Sequence, residues 1–128
     1  MKGEHKDEGK SRVDLIPADI LLAIGDVFGW GAKKYAERNW EEGILFSKLY
    51  GSAMRHAFKW FCGVDYDDES GLHHLDCTIA NLMMIRSYKA EQKDACDDRP
   101  VCQYSISKIK LNIPYDFHSW DKAEEDKK

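Results

Sequence analysis

The chain has 128 residues, 43% of them hydrophobic and 33% charged: enough apolar mass for one buried core and too little length for two domains. Nineteen Lys and Arg against 23 Asp and Glu leave a formal charge of −4, which argues against a nonspecific grip on nucleic acid. No apolar run approaches the ~20 residues of a membrane span, and Met1–Asp14 has no apolar stretch of the signal-peptide kind, so a cytoplasmic protein with no membrane partner is expected.

Residues 1–12 read as a mixed-charge flexible tail, 13–95 as one helical domain and 96–128 as a C-terminal arm. Pro17 suits the first turn of a helix carrying Ile20, Leu21, Ile24, Val27 and Phe28 at helical spacing. Gly29 and Gly31 loosen its end, and Lys33, Lys34 and Tyr35 follow as a short extension. Residues 37–46 read as a loop. Ser47 is then the expected N-cap of a second helix whose apolar face is Tyr50, Ala53, Met54, Ala57, Phe58 and Phe61, with Gly63 just past its end. An acidic turn over 64–71 leads into a third helix from about Leu72 to about Glu91. That helix is apolar nearly all round and is expected to be the most buried element. Past Pro100 the apolar period shortens to two, with a change of phase between Ser107 and Ile109. This predicts a strand with a bulge, pairing with another protomer. Cys62, Cys77, Cys96 and Cys102 form no CxxC pair; the first two fall in apolar helical patterns, so neither structural zinc nor a disulfide framework is expected.

The acidic turn carries the most chemistry. Asp65, Asp67, Asp68 and Glu69 lie within five residues, flanked by His56, His73, His74 and Asp76. Carboxylates and imidazoles converging at two helix ends suit a divalent cation that screens a polyphosphate and activates water. A solvated acidic loop favouring the dipole of the following helix accounts for the same residues. On the third helix His74, Thr78 and Asn81 fall on one polar stripe of an otherwise apolar surface, and such a stripe needs partners when buried. Arg55 and His56 of the second helix meet it if the two helices form an antiparallel hairpin. Lys33 and Lys34, with Lys10 and Arg12 upstream, offer phosphate contacts, and Tyr35, Trp40 and Trp60 offer stacking faces. There is no Walker A sequence, GxGxxG, GxSxG or adjacent His-Asp pair.

Taken together, Lys10-x-Arg12-x-Asp14-Leu15-Ile16-Pro17, Gly31-Ala32-Lys33-Lys34-Tyr35, Asn39-Trp40-x-x-Gly43, Arg55-His56, Asp67-x-Glu69-Ser70-Gly71 and His74 with Asn81 resemble the N-terminal domain family of dATP/dGTP diphosphohydrolases, found largely in phages. The ordered matches run from residue 9 to about 86. Two features depart from the pattern: Val64 stands where the family usually carries an acidic residue, and the ExxE…ExxD quartet of MazG-like enzymes is missing.

The resemblance implies an all-α, MazG-like domain of three to four core helices with an extended C-terminal arm. It implies a phage-encoded homo-oligomer, dimer or tetramer, that hydrolyses a purine deoxynucleoside triphosphate to its monophosphate and pyrophosphate with Mg²⁺ or Mn²⁺. On that reading Asp67, Glu69 and His74 bind metal, and Glu69, His56 and His74 are catalytic. Lys33, Lys34, Tyr35, Asn39, Trp40, Arg55 and Asn81 bind substrate. The alternatives are a phage nucleotide-binding or sequestering protein without catalysis, which Val64 favours, and a helical protein-interaction module.

Overall fold

A computed structural model of the chain describes residues 2–100; the strand expected past Pro100 lies outside them. The described residues are all-α: a short 3-10 turn at Val13–Leu15, then α1 (Ala18–Lys34), a 3-10 turn at Asn39–Glu42, α2 (Phe46–Phe61), α3 (His74–Ser87) and α4 (Ala90–Cys96).

α1 starts behind Pro17 and runs without a break through Gly29 and Gly31 to Lys34, so Lys33 and Lys34 are its last turn rather than a separate extension. Each glycine costs about 1 kcal/mol against alanine in a helix interior. Packing of α1 on α3, with Ile24 buried, carries the helix through both.

α2 begins one residue before the expected Ser47 cap. Leu45 stands at the N-cap and has no polar side chain to offer. The carboxylate of Asp98 does the capping instead: it accepts the Ser47 N–H at 2.8 Å on one oxygen and the Ser47 hydroxyl on the other. A carboxylate at this end of a helix meets both the free N–H groups and the positive end of the dipole.

The inward stripe of α2 is Phe46, Leu49 and Ala53, continuing at helical spacing to His56. Of the apolar face read from sequence, Met54 and Ala57 are half-buried, while Tyr50, Phe58 and Phe61 are exposed, Phe61 at 81%. Counting apolar residues alone turns the helix by about one residue, because the stripe that faces α3 contains an imidazole.

The expected third helix is two. α3 ends at Ser87, Tyr88 is extended (φ −60°, ψ 131°), and α4 follows. Tyr88 causes the break by turning into the core. Its hydroxyl donates to the Trp40 carbonyl at 2.6 Å and accepts the Ile44 N–H at 3.0 Å, and its ring stacks on Phe46 at 6.0 Å. Around this residue Phe46, Leu49 and Cys96 form the core cluster, flanked by Trp40, Ile44, Met84 and Ile85. Gln92 ties α4 to the turn before α2 by donating to the Glu41 carbonyl.

α3 packs against both α1 and α2 but is not buried all round. His74, Cys77 and Ala80 face inward, while Ile79, Leu82 and Met83 are exposed. Ala53 and Ala80 are fully buried, and small side chains let helix axes approach closely. The Thr78 hydroxyl accordingly reaches the Ala53 carbonyl of α2 at 3.3 Å while also bonding to its own helix at His74. Cys62 lies past the end of α2 and is exposed, unlike its place in the apolar pattern, whereas Cys77 is buried beside the paired helices.

Candidate functional site

The connection between α2 and α3 folds back on itself. Gly63 and Gly71 take φ +95° and +72°, conformations open to glycine at little cost, at the end of α2 and at the tip of the turn. Between them the Asp67 N–H donates to the Leu72 carbonyl and the Gly71 N–H to the Asp67 carbonyl, both at 2.8 Å, while Tyr66 bridges His73. One Asp67 oxygen accepts the Ser70 N–H at 2.9 Å and the Ser70 hydroxyl at 2.8 Å. His73 caps α3 through its Nδ1, which accepts the Leu75 N–H at 3.0 Å. This turn delivers Asp67 to the point where the α2–α3 hairpin brings two histidines together.

His56 of α2 and His74 of α3 face each other with their Nδ1 atoms 2.8 Å apart. His74 is 1% exposed. One ligand atom from each of His56, Asp67 and His74 lies within 4.8 Å of the other two. Burial, first of all, holds the His56 imidazole below its ordinary value; Asp67 pulls it up, and His74, Lys59 and Arg55 push it further down. Burial raises the Asp67 carboxyl, but the two Ser70 hydrogen bonds and the two imidazoles outweigh it, leaving it below the usual carboxylate range. At neutral pH the cluster therefore offers a neutral imidazole at His56 and an ionised carboxylate, the forms that ligate metals.

The donor set fits a divalent ion. Two ligands each about 2.1 Å from an ion and at right angles to one another sit about 3 Å apart, which matches the spacing of the two Nδ1 atoms. Glu69, expected among the ligands, is directed elsewhere: its carboxylate is 63% exposed and accepts a hydrogen bond from Lys34 Nζ at 2.8 Å. His56, expected as a catalytic residue and as an imidazole near the cation, lies in the cluster with Asp67 and His74.

A cleft of about 1070 Å³ opens beside the triad. Among the residues singled out from sequence, Lys34, Tyr35, Asn39 and Trp40 line it from the end of α1 and the following turn. Arg55 and His56 line it from α2, Asp67 and Glu69 from the connection, and Asn81 from α3. Asn81 donates to the Cys77 carbonyl at 2.8 Å, which leaves its side-chain oxygen for the cleft. His74 is buried behind His56, and Lys33 is exposed outside the lining. Arg12 pairs with Asp14 in two hydrogen bonds and does not reach the cleft. Val64 is half-exposed and also outside the lining.

Of a row of polar and basic residues on α2, sequence reasoning found only Arg55 and missed Lys48, Ser52 and Lys59. Lys48, Ser52, Arg55 and Lys59 all line the cleft, and their 4-3-4 spacing is a single helical stripe. Arg55 lies back along the helix over Gly51, where a Cβ would approach its Nη1 to 3.1 Å. Phe28 and Trp30 join Tyr35 and Trp40 on the lining, and Phe28 meets Trp40 edge-on at 6.1 Å. The cleft thus has an aromatic region, a basic stripe and, beside them, the His-Asp-His cluster.

Comparison with known proteins agrees with the sequence resemblance. The family model described as dATP/dGTP diphosphohydrolase, N-terminal, matches residues 1–99. A curated relative from Salmonella phage PMBT28, named dATP/dGTP diphosphohydrolase, is 31% identical over 99 residues. That match covers 77% of this chain and 33% of the relative, so the chain spans about a third of the relative's length. No solved structure gives a significant match.

Proposed function

For a chain that belongs to the dATP/dGTP diphosphohydrolase N-terminal family, we propose that the cleft binds a purine deoxynucleoside triphosphate and hydrolyses it, with a divalent ion held by His56, Asp67 and His74. The convergence of those three side chains beside a cleft with basic and aromatic walls carries the reading. The two imidazoles favour a first-row transition ion, so of the two expected ions Mn²⁺ suits the cluster better than Mg²⁺, which prefers an all-oxygen shell. When bound, a divalent ion neutralises phosphate charge and acidifies water.

The side chains of the chain supply the rest. Lys48, Arg55 and Lys59 hold the phosphates along α2, with Arg55 able to bind two phosphate oxygens at once. Tyr35 and Trp40 give the base an apolar wall, and Asn39 and Asn81 offer hydrogen bonds to base or sugar. In the reaction a water oxygen attacks the α-phosphorus and the bond to the bridging oxygen of the β-phosphate breaks. The products are the monophosphate and pyrophosphate. Glu69, two residues beyond Asp67 and on the cleft wall, is the carboxylate assigned to take the proton from water.

The test is incubation of the full chain with each of the four deoxynucleoside triphosphates and Mn²⁺ or Mg²⁺, with products separated by ion exchange. The expected result is dAMP or dGMP with an equal amount of pyrophosphate, abolished by EDTA. Nucleotide binding without any product supports the sequestering alternative and overturns the enzyme assignment.

A further inference from the structure

We propose that the Lys34–Glu69 ion pair is a latch on the cleft that the phosphates of a polyphosphate open by exchange: Lys34 passes from the carboxylate to phosphate, and Glu69 is released beside Asp67. The inference rests on the nucleotide reading of the cleft and adds the step by which substrate arrival and the freeing of Glu69 are one event.

The pair joins parts of the chain 35 residues apart, the last residue of α1 and the α2–α3 connection, and both members line the cleft. Lys34 Nζ is 2.8 Å from Glu69 Oε1. On its other side the same ammonium lies 4.9 Å from the centroid of the Trp30 ring and 5.5 Å from that of Tyr35. The cation is therefore held by aromatic faces and a carboxylate on the wall of the cleft. The bond to Glu69, chiefly, raises the Lys34 ammonium above its ordinary value, so it stays charged.

Such a pair holds weakly. Both side chains are partly in solvent, at 38% and 63% exposure, and exposed ion pairs contribute little against water. A polyphosphate brings several negative charges to the same place and meets Lys48, Arg55 and Lys59 as well. Lys34 then has a stronger partner than a lone carboxylate. While the latch is closed, Glu69 is engaged as an acceptor and Lys34 is withheld from phosphate. Exchange reverses both at once.

The experiment measures binding of inorganic tripolyphosphate in EDTA, by titration calorimetry, so that neither metal nor turnover enters. The proteins are wild type, Glu69→Gln, Lys34→Ala, the double variant and Asp68→Asn, each checked for folding by circular dichroism. Glu69→Gln is expected to bind about threefold to fivefold more tightly than wild type, because the competing carboxylate charge is gone. Lys34→Ala is expected to bind more weakly, and the double variant to match Lys34→Ala. Asp68→Asn removes a charge of the same sign one residue away and is expected to change affinity less than Glu69→Gln. Equal tightening by Glu69→Gln with and without Lys34 overturns the latch, as does a matching gain in Asp68→Asn or an absence of binding by wild type. Failure of nucleotide hydrolysis while this cycle holds overturns the enzyme assignment and leaves the latch standing.

Discussion

Asp67→Asn is expected to lower Mn²⁺ affinity by more than about 100-fold, beyond the 10- to 100-fold that changes outside the ligand set cost, and to remove hydrolysis with it. The substitution separates charge from structure. One Asp67 oxygen accepts both Ser70 donors, and the asparagine carbonyl can accept them too, so the turn that aims the residue at His56 and His74 is retained. What is lost is the anion beside two imidazoles. The apoprotein should melt within a few degrees of wild type, while Mn²⁺ should raise the melting temperature of wild type alone, since a ligand that binds only the folded state stabilises it. Calorimetric titration with Mn²⁺ checks this directly. An affinity within tenfold of wild type removes Asp67 from the ligand set.

Tyr88→Phe is expected to destabilise the fold by about 1–3 kcal/mol and, in the same stroke, to loosen the aromatic wall of the cleft. The hydroxyl serves two backbone groups, the Trp40 carbonyl at 2.6 Å and the Ile44 N–H at 3.0 Å, in a partly buried setting. Without it the Ile44 N–H loses its partner, while the Trp40 carbonyl keeps the Gly43 N–H at 3.1 Å; an unpaired buried group costs roughly 1–3 kcal/mol. The ring stays, so its stacking on Phe46 and its contact with Trp40 are not at issue. A loss of this size lowers the melting temperature by roughly 10 °C for a domain of this length. Because the Tyr88 hydroxyl fixes the backbone of Trp40, which lines the cleft, KM for nucleotide should rise more than kcat falls. A melting point unchanged from wild type shows that the Ile44 N–H finds another partner.

The helical class, the start of α1 at Pro17 and the α2–α3 hairpin were all legible, because helical spacing of apolar residues and a short acidic connection dictate them. The break at Tyr88 was not. It depends on a hydroxyl meeting backbone groups 44 and 48 positions away, and local spacing carries no trace of such a partner. The same holds for Asp98, which caps α2 from 51 residues away while Ser47, the better local candidate, receives its carboxylate. At the site, the nearness of His56 and His74 followed from the hairpin alone. The placement of Glu69 did not, since its partner Lys34 comes from α1, whose position beside the connection is a matter of packing. The basic stripe of α2 was readable at its 4-3-4 spacing, but long charged side chains on a helix usually face only water, and what distinguishes these is the cleft they line.

Two imidazoles and one carboxylate are proposed to hold a divalent ion beside the cleft, and pulsed electron paramagnetic resonance of the Mn²⁺-loaded protein tests this most directly. The predicted spectrum carries echo modulation from two coordinated imidazole nitrogens, reduced to one in His56→Gln. A spectrum with water protons and no coordinated nitrogen contradicts the account, because Mn²⁺ would then sit away from the His56–His74 pair.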